Sequence, residues 1–358
     1  MSKKIVSIGE MLAQYIIRPG TARHNIGFGG DTLAVAATIS HISEKYGLDI
    51  TADYYTALGP GGDPGSDEAS AYMAGQGVGT ALVRRIPGRT VGTFVINYDE
   101  NEVMVPDPVT GERYTFDRLS SAATQMFSQD AVESVIRPLT RDFDYVYLSQ
   151  ISVAVLCCRP GTQGAGPLDQ DALIDMFASA RQNGSTTVLS TNLRSGLWGF
   201  SKGDELTHPQ KREASRILDR MLGHTDIVLS SIADEQELDY YDNEHPQYRH
   251  AARMHEFGVK KIAMTDGPGD IFVSWYENGA LNQQWVKPFP VKRVEEANDA
   301  GTGDAFAGGF VLGDMIGKSP VESAMVGARM GSAAMKNTGA IVDRENIPDI
   351  DELGMKES

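Results

Sequence analysis

The sequence predicts an α/β protein, a three-layer α/β/α sandwich with a mostly parallel central sheet and a small β-sheet lid. Three observations predict it. Short β-branched runs alternate with helical patterns along most of the chain, the rhythm of βαβ units whose crossovers put helices on both faces of a sheet. The candidate strands are apolar runs of the kind that are buried on both faces. Two β-rich segments, approximately residues 11–28 and 87–118, fit no βαβ unit and read as a lid.

In chain order, "KIVSIG" (4–9) reads as a strand and "DTLAVAATISHISEKYG" (31–47) as a helix capped by Asp31 or Thr32. "ADYYTALG" (52–59) is a strand and "SDEASAYMAGQG" (66–77) a helix. "FDYVYLSQI" (143–151), "TTVLSTN" (186–192), "DIVLSSI" (226–232) and "KKIAMTDG" (260–267) read as buried strands. Between them, "LIDMFASARQNG" (173–184) and "QKREASRILDRMLG" (210–223) carry apolar residues at helical spacing, with Ala214, Ile217, Leu218 and Met221 on one face. Residues 1–358 read as one domain with the lid inserted, and the acidic end 349–358 as a frayed tail. Ligands of open α/β sheets sit at the carboxyl ends of the strands, so a lid there closes over a site.

The chain has 358 residues, 41% hydrophobic and 22% charged, the composition of an ordinary globular protein. Its net charge of −16 repels nucleic acid and anionic membranes, so neither is an expected partner. The two cysteines, Cys157 and Cys158, are adjacent and build no disulfide framework, which suits a reducing cytosol. The opening "MSKKIVSIGE" is too short in its apolar run for a secretory signal, and no stretch is long and apolar enough for a membrane span. The seven histidines show no metal-ligand spacing.

The stretch "NDAGTGDAFAGGF" (298–310) places an acid, Asp304, directly after Gly-Thr-Gly and at the start of a helix. Backbone N–H groups of Gly301, Thr302 and Gly303 there form an anion-binding concavity. A carboxylate beside a bound phosphate makes sense as a base for an attacking hydroxyl; it makes equal sense as a helix cap, and on the motif alone the two readings stand level. "GFGGDTLAVA" (27–36) is a second Gly-rich helix entry, and "TDGPGD" (265–270) reads as a hairpin loop into "IFVSWY" that could also touch phosphates. Against an acidic background an anionic substrate needs local positive charge. Arg194 follows a strand end, two residues after Asn192, and Arg118 ends the lid.

These motifs carry a resemblance. "NDAGTGDAFAGGF" resembles the C-terminal signature of the ribokinase-like, or PfkB, carbohydrate kinases, and "GFGGDTLAVAATIS" their N-terminal signature. The GGDTL form, "FDYVYLSQISVAVL", "NLRSGLW", "DIVLSSIADEQELDYY" and "KNTGAIV" look most like the 2-keto-3-deoxygluconate kinase subgroup, over about Lys3 to Ile347. The resemblance implies a ribokinase-like fold, ATP with Mg²⁺, and transfer of the γ-phosphoryl to a sugar hydroxyl. It matches Asp304 to the catalytic base and Gly301, Thr302 and Gly303 to the anion hole. It puts Asn192, Thr265, Gly267 and Gly269 at the ATP phosphates and ribose, and Glu235 near the metal-water network. Gly30, Asp31, Tyr98, Arg118, Ile151 and Arg194 lie where the subgroup contacts its acid sugar. Self-association through the lid and a cytoplasmic location are implied as well.

The chain also departs from the pattern. Gln14 stands for a usual acid and Ala34 for a usual Asn at sugar-facing positions; Ser190 replaces an Asp, and Ile232 the Asn of an NxxE motif. Asn298 replaces the acid often linked to a monovalent cation, which implies weak potassium dependence. The expectation is a kinase of an acidic keto-sugar, with a neutral-sugar kinase such as a fructokinase, or a non-catalytic sugar-binding relative, as alternatives.

Overall fold

The computed structural model describes residues 2–20, 24–101, 104–106, 114–118, 120–126, 139, 141–157, 170–199, 205, 208–238, 246–288, 301–336, 339–349, 351 and 353–354. Its main sheet has eight strands: β1 (Lys3–Ile8), β4 (Ile50–Tyr55), β10 (Tyr145–Ser149), β11 (Thr186–Ser190), β12 (Ile227–Ser231), β13 (Lys261–Thr265), β14 (Ile271–Glu277) and β15 (Ala280–Val286). The spatial order is β15-β14-β13-β12-β11-β10-β1-β4. Strands β4 through β13 in that row are parallel, and the terminal hairpin β14–β15 is antiparallel.

Side-chain alternation along the strands feeds two cores. Ile5, Tyr145, Tyr147, Leu229 and Ala263 face one layer; Val6, Ile8, Val146, Leu148, Val228 and Met264 face the other. The first layer holds α1 (Asp31–Tyr46), α2 (Pro64–Gly75), α9 (Thr302–Met315) and α10 (Pro320–Ala334). The second holds α3 (Gln150–Cys157), α4 (Gln170–Gln182), α5 (Ser195–Trp198), α6 (Pro209–Leu222), α7 (Ile232–Leu238) and α8 (Pro246–Glu256). On α6, Ala214, Ile217, Leu218 and Met221 are buried, the face their spacing predicts.

The lid is a five-stranded sheet of β2 (Leu12–Ile17), β3 (His24–Gly29), β7 (Gly92–Tyr98), β8 (Met104–Val105) and β9 (Tyr114–Asp117). A two-stranded sheet of β5 (Ala57–Leu58) and β6 (Arg84–Arg85) lies between the two segments that build the lid. No helix among the described residues is long and apolar enough to cross a membrane.

Several expectations are corrected. The strand expected over 143–151 stops at Ser149, and Ile151 is already in α3. Neither Asp31 nor Thr32 caps α1: Gly30 is the N-cap, no side chain caps it, and Asp31 opens the helix. The tail is not frayed where it is described, since Leu353 is buried in the first core and its N–H donates to Asp349. Glycines 309 and 313, which follow the anion-binding motif, serve helix packing. A Cβ at Gly309 would lie 2.9 Å from the Cα of Gly327, and one at Gly313 would lie 2.8 Å from the Cα of Ser323. The close approach of α9 and α10 fixes the helix that carries Asp304.

Candidate active site

The carboxyl ends of the parallel strands converge with the N-terminus of α9. Gly301 is the N-cap of that helix in the left-handed region, φ 81°, and a Cβ there would overlap the carbonyl oxygen of Ala340. Only glycine satisfies both constraints. Gly303, by contrast, is exposed and has open space where a Cβ would stand. The loop is therefore tight at its base and open at its mouth. The N-cap residue, a glycine, offers no side-chain cap to the helix.

Asp304 lies in the first turn of α9. A helix N-terminus favours the carboxylate form. Burial and the nearby charge of Asp31 outweigh that and push its pKa up to about 7, with Arg194 pulling it back. Asp31 is raised as well by burial; the Ser149 hydroxyl, the Thr32 N–H, Arg194 and Asn192 oppose the rise. Asn192 Nδ2 donates to Asp31 Oδ2 at 3.5 Å. Tyr147, fully buried beneath both acids, has its hydroxyl pKa pushed up by burial and then by the charges of Asp31 and Asp304. Asp31, Asp304, Asn192 and Arg194 are thus neighbours.

Arg194 is 57% exposed, donates Nη1–H to Leu193 O at 2.7 Å and lies 3.9 Å from Asp234 Oδ1. It is a reachable cation ringed by acids. Asp234 is one that sequence reasoning missed. Burial raises it to about 6, while Ser231, Arg194 and the Leu193 N–H favour its charged form. The signal was available: Ser231 and Asp234 stand at capping spacing just after a strand, and Ser231 Oγ donates to Asp234 at 2.8 Å.

Arg118, at the edge of the lid, is paired within the protein. Its Nε–H donates to Glu10 Oε2 at 2.5 Å, with both side chains nearly buried, and its guanidinium stacks 4.3 Å from the Phe116 ring centre. Ser121 Oγ donates to the other Glu10 oxygen at 3.0 Å. The backbone of Glu10 also closes on Gly30, where a Cβ would overlap the Glu10 carbonyl. Sequence reasoning missed Glu10, although an acid directly after the first strand's Gly9 was a signal for it.

The other expected residues are dispersed around this centre. Tyr98 ends lid strand β7, with Arg18 5.4 Å from its ring centre. A Cβ at Gly29 would meet Phe94 at 3.6 Å, Ala340 at 3.9 Å and Gln14 Oε1 at 4.0 Å, so the lid reaches the residue that packs on Gly301. Gln14 is buried, and Ala34 and Ile232 are core residues. Gly267 and Gly269 lie in the β13–β14 hairpin, where the Gly269 N–H donates to Asp266 O at 2.7 Å; Thr265 Oγ1 donates to Ser230 O at 3.4 Å. Glu235 is buried, with His250, Ser230 and Thr191 as its partners. Asn298 lies outside the described residues, as does Cys158.

The pfkB family carbohydrate kinase model matches residues 2–347. The chain belongs to this family. Among curated relatives, the 2-dehydro-3-deoxygluconokinase of Escherichia coli (strain K12) is 29% identical over 348 residues, 97% of this chain and 100% of that protein. The protein of the same name from Dickeya dadantii is 28% identical over 347 residues, 97% of this chain and 99% of its own length. Among solved structures, the 2-dehydro-3-deoxygluconokinase of Thermotoga maritima matches with a TM-score of 0.69 at 19% identity, covering 99% of this chain and 98% of that one. An E. coli Ribokinase II candidate solved with ATP and Mg²⁺ matches with a TM-score of 0.69 at 18% identity over 99% of this chain and 98% of that one. Both likenesses are of overall fold, which in this chain is a mostly parallel eight-stranded sheet between helical layers, with a β lid.

Proposed function

We propose that the protein is a cytoplasmic ATP-dependent kinase that phosphorylates the terminal hydroxyl of 2-keto-3-deoxygluconate or a similar acidic keto-sugar. The observation that carries this reading is Asp304: a carboxyl poised near neutrality by burial and by Asp31, directly behind an open glycine mouth at a helix N-terminus. The full-length similarity to 2-dehydro-3-deoxygluconokinases supports the sugar.

The residues fit ATP and Mg²⁺. The helix N-terminus behind Gly301 and the open position at Gly303 suit a phosphate. When bound, ATP with Mg²⁺ supplies the phosphoryl group that the sugar oxygen takes, with ADP leaving. Asp304 accepts the hydroxyl proton, the N–H groups at 301–303 hold the oxygen charge, and Arg194 supplies a mobile positive charge. Asn192 and Thr265 line the nucleotide side; Arg118 and Tyr98 face the sugar from the lid. Self-association through the lid belongs to the same reading, and sedimentation tests it.

A neutral-sugar kinase is the second reading. It is favoured by the Arg118–Glu10 pair, which already satisfies the lid cation. A coupled ADP-release assay over sugar acids and neutral hexoses decides. Fastest turnover of the keto-acid supports the proposal, preference for fructose supports the second reading, and no sugar-dependent turnover leaves a binding protein.

A further inference from the structure

The resemblance puts Glu235 near the metal-water network, yet its carboxylate is taken up by the protein. Glu235 is 1% exposed and His250, on α8, is 2% exposed; His250 Nδ1 lies 3.1 Å from Glu235 Oε2. Glu235 Oε1 accepts from Ser230 Oγ at 2.5 Å, with Thr191 Oγ1 3.2 Å away. Thr191 Oγ1 in turn donates to Ser230 Oγ at 2.5 Å. Each hydroxyl has one proton, so these bonds run in series from Thr191 to Ser230 to Glu235. Two further contacts extend the set: the Thr191 N–H donates to Leu229 O at 2.9 Å, and Thr265 Oγ1 to Ser230 O at 3.4 Å.

The network therefore ties together the carboxyl ends of β11, β12 and β13 and anchors them to α8. Those ends bear the residues that face the nucleotide and the reacting centre: Asn192 follows Thr191, Arg194 comes two residues later, and Asp234 precedes Glu235. Ile232, in place of the usual Asn, is buried in the second core, so the front of the motif also serves packing. A buried carboxylate is tolerated only when its oxygens are satisfied, and a fully satisfied buried network is rigid. Misplacing a catalytic group by about 1 Å costs on the order of 10²-fold in rate, so the fixing of these strand ends has consequences for the site.

We propose that Glu235, held by His250, is a positioning residue that fixes the nucleotide-side strand ends through Ser230 and Thr191, and that it does not serve the metal. The inference rests on the ATP reading above but on no particular sugar. The test is calorimetric titration of ATP into the full chain, once with Mg²⁺ and once with EDTA, for wild type, Glu235→Gln, His250→Asn and the double variant. A positioning role predicts that each single variant weakens ATP about tenfold or more in both media, the scale of losing an outer-shell partner. The double variant should bind no worse than the weaker single. If Glu235→Gln weakens ATP only with Mg²⁺ while His250→Asn binds like wild type, Glu235 serves the metal and the inference is overturned. Unchanged ATP affinity in both variants makes the network merely structural and overturns it as well. Should Glu235→Gln not fold, His250→Asn decides by the same comparison. A wild type that binds no ATP overturns the function reading, and this inference with it.

Discussion

Arg118 and Glu10, 108 residues apart in sequence, meet at 2.5 Å where the lid joins the main sheet. Glu10 lies between β1 and β2 and Arg118 directly follows lid strand β9, so the pair ties the lid to the main sheet. The Nε edge is committed to Glu10, and the guanidinium plane is set by Phe116. If the proposed reading holds, an acid sugar would take the other edge of the planar fork, which these contacts orient in advance.

Arg118→Ala should raise KM for 2-keto-3-deoxygluconate about 10- to 150-fold, the equivalent of about 1.5–3 kcal/mol for a charged hydrogen bond, and leave fructose nearly unaffected. Glu10→Gln should do the reverse. The amide oxygen still accepts the Nε–H, but the positive charge is no longer offset, so KM for the acid falls while fructose is unmoved. Comparing kcat/KM for the two sugars in both variants checks this. Equal losses for both sugars in Arg118→Ala would mean that Arg118 holds the lid and reads no carboxylate.

Asp304→Asn keeps the side chain's size and removes the base. A general base contributes about 10²–10⁴-fold, so kcat should fall within that range with the affinity for ATP little changed. A near-normal kcat would sink the assignment.

Much of this was legible in the sequence, for identifiable reasons. Parallel strands buried on both faces leave continuous apolar runs, and the strand-to-helix turns that end them carry Gly, Asn and Arg, so the sequence pattern alone singles out Asn192, Arg194 and Gly301. What was not legible depends on long-range partners. Nothing local in "FDRLSS" says that Arg118 has a carboxylate under it. Nothing in "ADEQEL" says that Glu235 faces His250 while its neighbour Asp234 faces Arg194. The packing role of glycines 309 and 313 was not legible either, because the helix that crowds them begins later in the chain.

Gly301 and Gly303 separate folding from function. Gly301→Ala forces a left-handed φ of 81° on a residue with a Cβ and drives that Cβ into Ala340, so it should destabilise the fold by about 1–3 kcal/mol or more, read as a lowered urea midpoint. Gly303→Ala meets open space inside a helix and should leave the midpoint unchanged or slightly higher. The added methyl nevertheless fills the mouth where a phosphate would sit, so activity should fall. A Gly303→Ala enzyme with full activity would show that the mouth holds no anion.

Asp31 sets the working pH of Asp304. Its charge is the largest cause after burial of the rise in the Asp304 pKa to about 7, and both acids border Tyr147. A base must be deprotonated, so kcat/KM of the wild type should fall on the acid side with a limb near 7. Asp31→Asn keeps the shape and an acceptor for Ser149 but removes the charge, so the limb should move to lower pH. Stability runs the other way. A carboxyl whose folded pKa is raised binds its proton more tightly when folded, so its contribution is complete below the ordinary carboxyl range and is lost as pH rises towards 7. The wild type should therefore lose stability over the same interval in which it gains activity, and Asp31→Asn should flatten that loss. Melting temperatures and kcat/KM measured across pH 4 to 8 at constant ionic strength test both halves. An acid limb that stays in place in Asp31→Asn would show that the two carboxyls titrate independently.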